Sequence, residues 1–201
     1  MDNFEKLFWI VEATRELRKD RGGYASASLL FDGAKSSLQI LKKYNPVLLG
    51  GFAVGMYTEP RATQDFDLTV SSEDLQEALL ELQKAGFVQV GFTDFKGVDL
   101  YHFERSGFKL DILQVRNKEF QKGLIERAQA HTFLDESVAV VSPEDLIVTK
   151  LLSFRPKDKI DILSLLSDTP LNMEQIKSRA QELKIFDRYA FVEENQTPNK
   201  N

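Results

Sequence analysis

The stretch Arg61-Ala62-Thr63-Gln64-Asp65-Phe66-Asp67-Leu68-Thr69-Val70 decides how the rest of this chain is read. From Asp65 onward the pattern has a period of two, as expected of a strand whose successive side chains point to opposite faces. Asp65 and Asp67 then share one face, and Phe66 and Leu68 share the other. Neighbouring carboxylates repel and raise each other's pKa, so a pair on one strand face suggests a cation as partner. Asp111 stands at the centre of an otherwise apolar strand-like run, 108–115, and is a candidate third acid. Chemistry at two metal ions draws carboxylates from separate chain segments onto ions about 3.5 to 4 Å apart.

The segment upstream supplies a second half of that chemistry. Pro46 breaks a preceding helical pattern, Val47-Leu48-Leu49 reads as a short buried strand, and Gly50-Gly51 opens a helix over residues 52–57. Glycines let backbone come close to a triphosphate, and a helix N-terminus directs unpaired N–H groups at it. The glycine pair lies one short helix and one loop before the Asp-x-Asp strand, so phosphates and metals would meet in one pocket.

Farther out, helices are expected over residues 3–18, ended by Gly22-Gly23, and over 28–43. Ser71 and Ser72 cap another that carries Leu75, Leu79, Leu80 and Leu82 to residue 85, with Asp74 in capping-box position. Strand-like runs at 87–92, 99–104 and 108–115 are separated by the turn signals Lys96-Gly97 and Ser106-Gly107. A helix over 117–130 and a strand over 137–141 follow. Ser142-Pro143-Glu144-Asp145 is a helix start with cap, N1 proline and N3 acid in register. Helical patterning continues to about residue 192, and the polar tail 195–201 is expected to be disordered.

These readings divide the chain into an N-terminal helical extension (1–45), an α/β core (46–141), a C-terminal helical segment (142–193) and a tail (194–201). With 201 residues and 42% hydrophobic content, the chain can bury a substantial core. It has no cysteine and only two histidines, His102 and His131, so thiolate sites and all-imidazole zinc sites are excluded. A metal here would be held by oxygen, which suits a hard cation such as magnesium. The beginning of the chain lacks a secretion-signal pattern, and no apolar run approaches bilayer-spanning length, so the expectation is a cytoplasmic protein with no membrane partner. A net charge of −5 argues against a dedicated nucleic-acid binder. Arg15, Arg18, Lys19 and Arg21 read as the basic C-terminal end of a helix.

Leu49-Gly50-Gly51 followed by Asp65-Phe66-Asp67-Leu68 resembles the pattern of the polymerase-beta-like nucleotidyltransferase superfamily. More narrowly, Arg61-Ala62-Thr63-Gln64-Asp65-Phe66-Asp67 is similar to the Arg-x-Thr-x-Asp-x-Asp variant of small bacterial and archaeal members, including AbiEii-type toxin-antitoxin nucleotidyltransferases. Ser142-Pro143-Glu144-Asp145-Leu146, with Lys150, Arg155, Lys157, Asp158 and Asp161 downstream, resembles a second segment of the same proteins. The resemblance spans about residues 47–166. It implies an α/β fold with a short mixed sheet flanked by helices, and transfer of a nucleoside monophosphate from an NTP to a hydroxyl on RNA, protein or a small molecule, possible within a toxin-antitoxin pair with an antitoxin partner.

By that resemblance Gly50 and Gly51 would cradle the β- and γ-phosphates. Asp65 and Asp67 would coordinate two Mg2+ ions, and Asp111 would hold one of them and help deprotonate the acceptor. Arg61 and Lys150 would neutralise the triphosphate, and Thr63 would sit with the nucleotide or fix the loop before the strand.

Competing readings are an inert nucleotide-binding protein of the same fold, and a helical interaction domain whose Asp-x-Asp is coincidental. Locally, Arg155, Asp158 and Asp161 fit ordinary helix-surface ion pairing, with Lys157 and Asp161 at i, i+4. Lys150 fits a lysine snorkelling from an apolar face. Neither histidine has partner spacing that suggests a function.

Overall fold

The structure is a computed structural model that describes residues 27–61, 63, 65–133 and 136–195. The helix expected over 3–18, its basic end and the tail beyond residue 195 lie outside the described residues.

In chain order the elements are α1 (Ala27–Leu41), a 3-10 turn (Lys42–Tyr44), β1 (Val47–Leu49), α2 (Gly50–Tyr57), β2 (Asp65–Thr69), α3 (Leu75–Lys84), β3 (Val88–Phe95), β4 (Val98–Arg105) and β5 (Phe108–Val115). There follow α4 (Lys118–Glu126), β6 (Gln129–Phe133), β7 (Glu136–Val140), α5 (Pro143–Ser153), α6 (Pro156–Asp168), α7 (Met173–Glu182) and α8 (Phe186–Glu194). The strands form one mixed sheet in the order β3-β4-β5-β2-β1-β7-β6. The fold is the mixed α/β arrangement that the sequence implies.

Three strands at the middle of the sheet set the site. β2 runs antiparallel to β1 and parallel to β5. Phe66 and Leu68 are fully buried on the back face of β2, which forces Asp65 and Asp67 onto the front. Phe66 meets Phe52 of α2 at 5.3 Å and Phe133 of β6 at 5.8 Å between ring centres, so an aromatic cluster locks α2 to the sheet.

The β4–β5 hairpin turns through Ser106 and Gly107, both at positive φ (52° and 86°). A two-residue turn of that kind matches strand twist and fixes the register with Arg105 opposite Phe108. Every pair along the hairpin follows from that turn, including His102 opposite Asp111.

The structure departs from expectation at the helix of residues 117–130. Asn117 caps α4 by accepting from the Phe120 N–H at 2.9 Å, but the helix ends at Glu126. Gln129 and Ala130 belong to β6, which pairs antiparallel with β7. The side chains of β6 are largely exposed apart from buried Phe133, so its hold on the sheet is the backbone ladder.

The helix start at Ser142 is as expected, with Ser142 Oγ accepting from the Asp145 N–H at 3.2 Å. The N3 acid does more than cap. Asp145 is fully buried and takes Arg127 at 2.9 Å and Arg179 at 3.0 Å, tying α5 to α4 and α7. The long helical pattern after it divides into four helices, the first break falling at Phe154, which ends α5 in a left-handed conformation, and Pro156, which opens α6.

Candidate active site

Parallel pairing of β2 with β5 sets Asp67 directly opposite Asp111 and Asp65 opposite Lys109. The three acids proposed from sequence therefore occupy one patch on two adjacent strands. Leu49 of β1 lies opposite Asp67, so the chain enters α2 beside that carboxylate. Gly50 has φ +72°, and a Cβ built on it would overlap the Asp67 carboxylate. Only glycine fits between the helix N-terminus and the acid. A Cβ on Gly51 would stand 2.8 Å from Thr63 Oγ1, so the loop before β2 also packs against this turn. Thr63 Oγ1 itself donates to the Asp65 carbonyl at 3.4 Å.

These residues open into a cleft of about 490 Å³ whose lining includes all eight sequence candidates: Gly50, Gly51, Arg61, Thr63, Asp65, Asp67, Asp111 and Lys150. Burial, reinforced by Asp111, pushes the Asp67 carboxyl up to about 7. Burial likewise raises Asp111, against the lowering effect of its bond to His102. The wall thus holds carboxylates that resist being ionised together. Among the described residues, no three histidine, aspartate or glutamate side chains close into a ready-made cage for an ion. The donor set nevertheless fits a hard divalent cation in kind, being carboxylate oxygens in a half-buried patch whose mutual repulsion a cation would relieve.

The opposite wall comes from α5 and α6, and here two of the competing local readings fail. Asp158 and Asp161 are not surface acids; both are fully buried. Lys150 does not snorkel; it is 7% exposed and its ammonium lies 2.7 Å from Asp161 and 3.5 Å from Asp158. Arg61 grips Asp161 with two bonds of 2.7 and 2.8 Å from across the cleft floor. Asp158 accepts from Arg155 Nε at 2.8 Å, Ser153 Oγ at 2.7 Å and the Arg155 backbone N–H at 2.9 Å, the last capping α6.

Burial works against ionising Asp158 and Asp161, but for each it is outweighed. Bonds from Arg155 and Ser153 hold Asp158 at about 2, and Arg61 with Lys150 keeps Asp161 below its usual range. Cations and acids that looked like a helix surface are a buried network because the partner of Asp161, Arg61, is 100 residues away in sequence. Lys157 is an exposed cation on the same rim, and its charge lowers the pKa of both Asp67 and Asp111.

Sequence reasoning gave His102 no role, yet it lines the cleft and its Nδ1 lies 2.8 Å from Asp111 Oδ1. The signal was present in the Ser106-Gly107 turn, which by its two-residue length puts 102 opposite 111. His131 lies elsewhere, against Tyr57, with the rings edge-on at 5.1 Å.

A family model described as "Nucleotidyltransferase of unknown function (DUF6036)" matches residues 29–197. The chain belongs to that family. With it comes membership of the polymerase-beta-like nucleotidyltransferase superfamily. A search of curated proteins gives no match. Among solved structures, the antibiotic-resistance factor ANT(2'')-Ia is similar at 14% identity with a TM-score of 0.53, over 82% of this chain and 94% of that one. An antigenic nucleotidyltransferase-like protein from Paracoccidioides brasiliensis reaches 21% identity and 0.52, over 82% and 87%. The lincosamide antibiotic adenylyltransferase LnuA, solved with lincomycin bound, gives 17% and 0.50, over 74% and 100%. At these identities the likeness is one of fold.

Proposed function

We propose that this cleft transfers a nucleoside monophosphate from a magnesium-bound NTP to a hydroxyl acceptor. The observation that supports it most is the register of Asp67 opposite Asp111, with Asp65 on the same face and the N-terminus of α2 pressed against Asp67. In this reading Asp65, Asp67 and Asp111 hold the cation or cations, which supply charge neutralisation at the triphosphate when bound. Gly50 and Gly51 present the α2 backbone to the phosphates.

The acceptor oxygen attacks the α-phosphorus, the bond to the β-phosphate bridging oxygen breaks, and pyrophosphate leaves. Asp111 receives the hydroxyl proton, a role suited to a carboxyl whose pKa burial has raised. Lys157, exposed on the rim, meets the triphosphate charge. Arg61, Thr63 and Lys150 shape that side of the cleft through the ion network as well as by contact.

The acceptor is a hydroxyl on a small molecule, RNA or protein. A small molecule is favoured by the similarity in fold to ANT(2'')-Ia and LnuA, and the net acidic chain leans the same way. The Arg61-to-Asp67 motif supports the narrower kinship with AbiEii-type proteins, a cytoplasmic setting and an antitoxin partner. Among the described residues, no helix is long and apolar enough to cross a membrane. The functional unit is the core at 46–141 together with the helical segment at 142–193, since both line the cleft.

Thermal melting with NTP and magnesium tests the reading. Ligand at a hundredfold excess over its Kd stabilises by about 2.7 kcal/mol. Wild type should melt higher with the pair than with either alone, and Asp67→Ala should lose the gain. No gain in wild type at saturating ligand would defeat the proposal.

A further inference from the structure

His102 is a polar group on the cleft wall for which the proposed chemistry has no use. Its ring is bonded at both ends: Nδ1 to Asp111 Oδ1 at 2.8 Å and Nε2 to Thr93 Oγ1 at 2.8 Å. Once ionised, as it is when it holds a cation, the Asp111 carboxylate only accepts, and Nδ1 then carries the proton. In the neutral ring Nε2 then accepts, and the Thr93 hydroxyl is its donor. The chain of donors therefore runs from Thr93 through His102 to Asp111.

The backbone is built to allow this. On β3 the pairing jumps from Gln89–Phe103 to Gly91–His102, leaving Val90 as a bulge. On the Thr93 side of the bulge the register is set by the two-residue Lys96-Gly97 turn, both residues at positive φ, which pairs Phe95 with Val98. In that register Thr93 lies opposite Leu100, which shares the His102 face. The same register brings Gly91 opposite His102, where a Cβ would stand 3.2 Å from His102 Cδ2. A residue without a side chain and a hydroxyl converge on one ring.

We infer that His102, with its ring held from the far side by Thr93, is a positioning residue that holds the Asp111 carboxylate for the bound cation. The inference rests on the proposed function, in which Asp111 is a ligand. Fixing one oxygen removes rotation about the Asp111 side-chain bonds, leaving the other oxygen to the cation. Outer partners of ligating carboxylates matter in this way, and removing one typically costs about 10- to 100-fold in metal affinity.

The test uses the full chain and Mn2+ as the probe, with free ion followed by electron paramagnetic resonance. His102→Leu should weaken Mn2+ binding about tenfold or more. His102→Asn, whose amide N–H can replace Nδ1–H, should bind within about threefold of wild type. Thr93→Val should weaken binding in the wild-type background and change nothing in the His102→Asn background, where no Nε2 remains to be fixed.

If His102→Leu binds as wild type does, or His102→Asn is as weak as His102→Leu at equal melting temperature, the inference is overturned. Should His102→Leu fail to fold, the Thr93→Val comparison in the two backgrounds decides, and equal effects in both overturn it. Asp67→Ala separates the two levels. Wild-type binding that Asp67→Ala abolishes but His102→Leu leaves intact overturns the positioning role alone, whereas no Mn2+ binding by wild type removes the proposed function and this inference with it.

Discussion

Replacing Asp67 by asparagine should stabilise the metal-free protein at alkaline pH and do little for it in acid. In the unfolded chain this carboxyl ionises near 3.8, but in the fold it does so only at about 7. Below the first value both states are protonated and no penalty exists. As pH rises the unfolded state gains by ionising, and above the second value the full penalty falls on the folded state. Stability is therefore lost as pH rises through about 7.

At about 1.4 kcal/mol for each tenfold change in ionisation, the gap corresponds to about 4 kcal/mol. Water reaching the half-buried side chain screens part of this, leaving about 2 kcal/mol to develop between about pH 4.5 and about pH 8.5. At about 2 to 4 °C per kcal/mol for a chain of this size, Asp67→Asn should gain about 4 to 8 °C on wild type over that range. Melting curves of both proteins in chelator at the two pH values measure it. The constant cost of burying an amide cancels in the comparison. An equal difference at both pH values would refute the reasoning, because it would mean that Asp67 ionises in the fold as it does in the unfolded chain.

Gly50→Ala should cost more than about 1 kcal/mol in urea unfolding, since it adds a positive-φ strain and a clash with Asp67, and it should also remove the thermal response to NTP with magnesium. Asp161→Asn leaves Arg61 and Lys150 without their shared carboxylate, and should cost about 3 to 5 kcal/mol by the same measurement; a loss under 1 kcal/mol, about the worth of a surface pair, would show that the network is not buried in solution. Asp158, held at about 2, contributes stability above the unfolded value of 3.8 that is lost as pH falls through about 2, so the deficit of Asp158→Asn should be constant from neutral pH to about pH 5 and shrink below it.

Local chemistry was legible in the sequence where local geometry sufficed. Ser142-Pro143 announced a helix because cap and N1 proline act within four residues, and Ser106-Gly107 announced a hairpin because two positive-φ positions suffice for it. Asp65 and Asp67 could be put on one face by period alone. β6 could not be read, because Gln129-Ala130-His131-Thr132-Phe133 carries only one buried apolar side chain and depends on pairing with β7. Nor could the burial of Asp158 and Asp161, since the charge that makes it tolerable includes Arg61, far away along the chain. His102 falls between these cases. Its partner was implied by the hairpin turn, but only once the register was counted out, and the contribution of Thr93 needed the register of a second turn, Lys96-Gly97, counted out beside it.

The double bond from Arg61 to Asp161 joins the loop that leads into β2 with α6 across the floor of the cleft. Parting the two walls there would strip Asp161 of both Arg61 bonds while leaving it Lys150 at 2.7 Å, a cost of about 1.5 to 3 kcal/mol for bonds to a charged group, so a form opened in that way is a minor one. The cleft therefore resembles a cup tied at its base more than a jaw. With the base tied, the open way in is over the rim, between the β3–β4 edge of the sheet and the start of α6.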